Sequence, residues 1–279
     1  FLPLTFPSFK TPTPYCYRCP MKKNRDNCAI ECIKPLEKLL QAKSEEIAGI
    51  ILEPMVLGAA GMIVYPVEYL QKVAILAGDF NIHLILDEVA TGFGRTGRMF
   101  ACEYAQVKPD FFCLSKGITA GYLPLAATLT TDKIYRAFYA DYEKNKTFFH
   151  GHTYTANPIS CSAALASLEV FKNEKTLDNV RGLSLIFGKR LEGFRELDIV
   201  GDVRYIGLIA GIELVKDKRT KQGFDLKERI GLEVYRRGLE RGLILRPLGN
   251  VVYLFLPLCL KEKELSEILY GTYSVIASL

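Results

Sequence analysis

The feature that most constrains this chain is a pair of short apolar segments, each closing on a charged side chain. His83 to Leu86 reads as a buried strand that ends in Asp87 and Glu88, followed by a loop carrying Gly92, Gly94 and Gly97. Phe111 to Leu114 reads as a second buried strand, which delivers Ser115 and Lys116. In an open α/β sheet, ligands gather at the carboxyl ends of parallel strands, so Asp87 and Lys116 can face one crevice. One carboxylate and one amine are thereby aimed at the same ligand.

The flanking segments support such a sheet. Ile47 to Pro54 reads as a buried strand that brings Glu53 to the same crevice, and Val67 to Ala77 as a helix with apolar residues at Val67, Leu70, Val73, Ala74 and Ala77. Strand, helix, strand repeated through Asp87 and Lys116 predicts right-handed crossovers and a mainly parallel sheet. Further on, Ala126 to Thr130 reads as a strand, and Asp132 to Tyr139 and Ile159 to Phe171 as helices. A helical stripe over Thr176 to Leu197 leads to a smaller α+β part: a strand over Asp202 to Val215, a helix over Leu226 to Arg241, strands over Leu243 to Arg246 and Val251 to Phe255, and a final helix over Lys261 to Leu279. The expected organisation is an α/β large domain over residues 1–185 and a small C-terminal domain over 186–279.

Composition excludes several classes. A formal charge of +5, mixed along 279 residues, is too mild for a nucleic-acid or membrane-surface binder. The apolar neighbourhoods Ile47 to Leu70 and Val251 to Leu260 are interrupted by Glu53, Pro54, glycines and Pro257, so they are not membrane spans. The sequence opens at Phe1 with neither an initiator Met nor a targeting pattern, and reads as cytoplasmic and truncated at its start.

The chemistry that needs a strand-end lysine opposite a strand-end carboxylate is carbanion chemistry on an amine, with pyridoxal phosphate as electron sink. Alone, the pair leaves a bland alternative open, since a strand-end lysine is commonly a solvated edge residue. The turn His150-Gly151-His152-Thr153-Tyr154-Thr155-Ala156-Asn157-Pro158 before a helix is either a phosphate site or a simple N-cap loop. His150 and His152 lack a third ligand nearby, which argues against a metal pair. Cys16, Cys19, Cys28 and Cys32 form a C-x2-C-x8-C-x3-C pattern suggestive of zinc, but the last two fall at helical spacing on an expected helix from Ile30 to Gln41. Cys102, Cys113, Cys161 and Cys259 are scattered in apolar contexts, as reduced thiols are.

The ordered motifs Asp87-Glu88-Val89-Ala90-Thr91-Gly92-Phe93-Gly94-Arg95-Thr96-Gly97 and Leu114-Ser115-Lys116-Gly117 resemble the class III pyridoxal-phosphate-dependent aminotransferases, over essentially the whole chain. That resemblance implies the type I fold of such transferases and a catalytic Lys116 that holds the cofactor and moves the substrate proton. It implies Asp87 as partner of the pyridine nitrogen, Val89 against the ring and Glu53 ordering the polar groups beside it. His152 and Thr153 would meet the cofactor phosphate of a neighbouring subunit, which makes a homodimer the expected unit. Gly151, Arg246 and Tyr253 are the expected substrate contacts.

Within the class, the resemblance is to the branch that passes an amine from S-adenosylmethionine to 8-amino-7-oxononanoate for biotin synthesis. Ala59 stands where members using 2-oxoglutarate carry a gating Glu, and Tyr253 where they carry the matching Arg, which leaves Arg246 to hold a distal carboxylate. Leu57 departs from the usual Gln. The PYCYRCP stretch occurs in the family without a required metal, so no metal is expected. The family's Gly-Ser phosphate turn and its ring-stacking aromatic have no counterpart here. The alternatives are another ω-amine transaminase of the class, or a non-catalytic zinc-binding or interaction module built on the early cysteines.

Overall fold

The computed structural model describes residues 2–279. After a largely irregular start, α1 (Lys34–Lys43) leads into β1 (Gly49–Leu52), the short hairpin β2 (Val56–Leu57) and β3 (Ile63–Val64), α2 (Val67–Asp79) and β4 (His83–Asp87). Next come β5 (Phe111–Leu114), β6 (Ala127–Thr130), α3 (Asp132–Phe138), α4 (Pro158–Asn173) and α5 (Thr176–Glu192). The remainder is β7 (Val200–Ile206), β8 (Ile209–Asp217), β9 (Gln222–Gly223), α6 (Ile230–Glu240), β10 (Pro247–Leu248), β11 (Val251–Phe255) and α7 (Glu262–Ala277).

The first sheet has the order β1-β4-β5-β6, parallel from β1 to β5 and closed by an antiparallel β6. Helix α2 supplies the crossover between β1 and β4. It buries Tyr69, Leu70, Val73 and Ala77, a stripe with helical spacing, into a core shared with Leu84 and Leu86 of β4. Helix α4 starts where Asn157 Oδ1 accepts from the amides of Ile159 (3.0 Å) and Ser160 (3.1 Å), with Pro158 in the first turn.

The second sheet is antiparallel, in the order β10-β11-β8-β7, with β9 on β8. Helices α5, α6 and α7 pack onto it through Val180, Phe187, Leu191, Val234, Leu265 and Val275. Helix α5 spans the expected division at residue 185, and its buried side chains belong to this C-terminal core.

Four expectations are corrected. The apolar run Asp202 to Val215 is not one strand but the hairpin β7–β8, turned at Gly207, whose φ is +57°. The helix expected from Leu226 begins only at Ile230, because Arg229 is left-handed (φ +49°). Leu243 to Arg246 pairs with no strand; pairing begins at Pro247, on the sheet edge where a residue lacking an N–H is tolerated. Cys28 and Cys32 do not share a helix: residues 28–30 are irregular, Ile30 is left-handed (φ +62°), and α1 starts at Lys34 after a 3-10 turn over Glu31–Ile33. No helix among the described residues is long and apolar enough to cross a membrane.

Candidate active site

Parallel pairing of β4 with β5 places Asp87 opposite Cys113, so Asp87 and the Ser115-Lys116 step lie together at the carboxyl end of the sheet. Asp87 is half-buried, and its Oδ1 accepts from the Val89 amide at 3.0 Å. Among the described residues its second oxygen has no partner. Lys116 is exposed and follows β5 with φ +43°, a left-handed backbone uncommon for a residue with a side chain. Gly117 is required next to it, since a Cβ there would come within 2.8 Å of Phe93 Cβ.

Glu53 completes the cluster from the end of β1. Its side chain accepts from the Gly58 amide at 2.9 Å, while Tyr65 OH donates to its backbone carbonyl at 2.7 Å. Burial raises the Glu53 carboxyl above its usual range; the Gly58 amide and Lys116 work against the rise, and Asp87 adds to it. Glu53, Asp87 and Lys116 therefore share one electrostatic neighbourhood.

Glu88 turns the other way and is fully buried. Its carboxylate accepts from the amides of Cys102 (2.7 Å) and Ala101 (2.9 Å) and from Thr91 Oγ1 (2.8 Å). It anchors the loop after β4, so only Asp87 of the acidic pair faces the crevice.

Two arginines that the sequence reading did not assign hold the site's surroundings. Arg95 of the glycine loop donates to the Leu256 carbonyl and lies over the Phe255 ring at 4.3 Å. Desolvation lowers its pKa to about 10. Arg204 of β7 is 8% exposed and donates to the carbonyls of Gly61 (2.6 Å) and Met62 (3.0 Å) and to Asp202 (2.8 Å), Glu213 (3.1 Å) and Tyr15 OH (2.8 Å). It ties the hairpin after Glu53 and the PYCYR segment to the C-terminal sheet. The signal available in the sequence was charge inside an apolar strand, since Arg and Glu are rarely buried unless paired.

Of the other expected residues, only Val89 is bonded to this cluster, through its amide. Gly151, His152 and Thr153 sit in an exposed turn ahead of α4, braced by Tyr154 N to His152 Nδ1 (3.1 Å) and His152 N to Thr155 Oγ1 (3.0 Å). Arg246 is exposed just before β10, and Tyr253 is half-buried in β11 opposite Gly211. Val89 is half-buried beside Asp87. A groove of about 660 Å³ opens at the opposite end of β4 and β5, near His83, Asp110 and Lys133, away from the carboxylate and the amine.

The aminotransferase class III family model matches residues 3–276. The chain belongs to the class III aminotransferases. It is 47% identical, over 97% of its length, to a Geobacter sulfurreducens relative named adenosylmethionine-8-amino-7-oxononanoate aminotransferase, and 44% identical over 99% to a relative of that name from Methanocaldococcus jannaschii. It spans 60% and 62% of those two proteins. A crystal structure of the aminotransferase of that name from Methanocaldococcus jannaschii superposes with a TM-score of 0.86 at 45% identity, covering 89% of this chain and 58% of the other. An omega-transferase from Vibrio fluvialis superposes at 0.92 with 31% identity, covering 99% and 67%.

Class III aminotransferases work with pyridoxal phosphate, and the donor set here fits it. A carboxylate whose second oxygen has no partner among the described residues suits a protonated ring nitrogen, and a lysine amine at the same end of the sheet suits the aldehyde.

Proposed function

We propose that this chain carries the catalytic lysine of an aminotransferase that moves an amino group from S-adenosylmethionine to 8-amino-7-oxononanoate, giving 7,8-diaminononanoate for biotin synthesis. The observation that carries the reading is the convergence of Lys116, Asp87 and Glu53 at the carboxyl end of the parallel sheet, in a chain 47% identical to a relative of that name. Pyridoxal phosphate, when bound, supplies an aldehyde for the amine and a ring that accepts electrons. Lys116 holds the cofactor and moves the proton at the substrate carbon bearing the amine. Asp87 holds positive charge on the ring nitrogen, and the Val89 amide fixes the carboxylate's direction. Val89 would pack against the ring of a bound cofactor, and Glu53, kept in place by Gly58 and Tyr65, would order the polar groups beside it.

Arg246 meets the distal carboxylate of the keto acid, with Tyr253 and Gly151 lining the substrate's path. His152 and Thr153 reach the cofactor phosphate of a second subunit in a homodimer. Exposed apolar side chains in the segment around this turn support that reading: Tyr142 is 95% exposed and Phe149 84%, and Tyr154 and Ile159 are exposed as well. Eight free cysteines fit a reducing, cytoplasmic setting.

A second reading, a broader ω-amine transaminase, is favoured by the 0.92 superposition on the Vibrio fluvialis protein. The two separate in one experiment. Protein of the full relatives' length is incubated with pyridoxal phosphate, 8-amino-7-oxononanoate and either S-adenosylmethionine or a simple primary amine, and the product is identified by mass. The diamine formed with S-adenosylmethionine is the expected product; turnover of simple amines without it would overturn the assignment.

A further inference from the structure

The cysteine pattern near the start is the one sequence motif that the aminotransferase chemistry leaves unused. In the structure Cys16, Cys19, Cys28 and Cys32 line a single narrow cavity of about 20 Å³. That is room for one ion or one water and too little for an organic ligand. The four thiols are free, and all four border this one cavity.

The objection that Cys28 and Cys32 share a helix face is gone, because the backbone between them is irregular and reverses at Ile30. Two knuckles, C-x2-C and C-x3-C, instead approach the cavity from separate loops. Cations stand at the rim: Arg25 NH1 donates towards Cys28 Sγ at 3.9 Å, and Lys23 lines the cavity. Four thiolates around a divalent ion carry net negative charge, which such cations offset. Glu31 also lines the cavity but is occupied by the Ala29 amide (2.9 Å) and Lys23 (3.8 Å).

We propose that Cys16, Cys19, Cys28 and Cys32 form a structural zinc site that closes when the ion is bound. Among the described residues no three Cys, His, Asp or Glu groups already stand at ligand spacing. Closure therefore requires the cysteine side chains to turn inward, in a segment whose regular structure is limited to 3-10 turns over Arg25–Asn27 and Glu31–Ile33. Thiolate ligands select zinc among common divalent ions, and bound zinc would staple a segment with little regular structure of its own. The site stabilises the PYCYR segment, whose Tyr15 and Arg18 reach Glu213. It takes no part in the transfer of the amine.

The test needs only the chain itself, purified under reducing conditions without chelator. Elemental analysis should give one zinc per chain. Four of its eight thiols should resist a thiol reagent until the metal is removed by a strong chelator. Cobalt put in place of zinc should show the thiolate charge-transfer and visible bands of a tetrahedral sulfur site. Cys16→Ser and Cys32→Ser should each lose the metal, whereas Cys259→Ser, at an exposed position, should keep it. Circular dichroism identifies any variant that has merely unfolded, and zinc competition against a chromogenic chelator on the unmodified chain does not depend on the variants. Metal-free chain with all eight thiols equally reactive would overturn the proposal. So would a disulfide among the four, or zinc retained in both cysteine variants.

Discussion

Replacing Arg204 by Met should destabilise the protein by about 3–5 kcal/mol, the usual consequence of removing one member of a buried ion pair. The structure supports the upper part of that range. The substitution strips the guanidinium from Glu213, which is 7% exposed, and removes donors from the Gly61 and Met62 carbonyls. Arg18 NE still reaches Glu213 at 2.6 Å, but it is more than a third exposed and compensates weakly. Removing both charges should cost less than the two losses added together, because Glu213 is then no longer left without its cation, although Asp202 still loses its 2.8 Å partner. Urea denaturation of the parent, Arg204→Met, Glu213→Leu and the double variant gives the coupling directly. The reasoning is refuted if the double variant is as unstable as the sum of the two singles, or if Arg204→Met loses less than about 1 kcal/mol.

Three further outcomes follow from the site. Borohydride reduction of the protein loaded with pyridoxal phosphate should leave the pyridoxyl group on Lys116 by peptide mapping, and a label on another lysine would displace Lys116 from its role. Asp87→Asn should keep that label yet lose most transfer activity at saturating substrate, and parental turnover would remove Asp87 from the ring nitrogen. Glu88→Ala strands two buried amides and should cost about 2–6 kcal/mol by urea denaturation. Burial raises the Glu88 carboxyl, so its contribution is fullest below the ordinary carboxylate range and fades as pH rises through the raised pKa; the loss should be larger in mild acid than at alkaline pH.

That Asp87 and Lys116 lie at one end of the sheet was legible because the signal is local. A run of apolar residues ending in a charge identifies both the strand and the end at which chemistry sits, and β4 and β5 carry that pattern within a few residues each. The β7–β8 hairpin was not legible: Ile206-Gly207-Leu208-Ile209 keeps the apolar run going through the turn, with one glycine as the only break. The Arg204 network was hidden for a different reason. Its partners Tyr15 and Gly61 are far away in sequence, and no periodicity reports a contact between such distant segments.

The glycine-rich loop after β4 shows how the two halves of the reading join. Three glycines ahead of Lys116 suggest a ligand-binding loop, yet packing and backbone conformation explain each of them. A Cβ at Gly92 would meet the Glu88 carbonyl at 2.8 Å, and one at Gly94 (φ +80°) would press on Phe171, Leu177 and Leu258. Gly97 (φ +94°) completes a turn that the Gly94 carbonyl closes. Gly207 lies beneath the same loop, where a Cβ would come within 2.3 Å of the Thr96 backbone, while the Leu208 amide donates to the Arg95 carbonyl and Arg95 reaches Leu256. The loop is therefore the seat on which the C-terminal sheet rests. The loop that leaves the Asp87 strand end thus also fixes where the β7–β8 turn and the end of β11 sit.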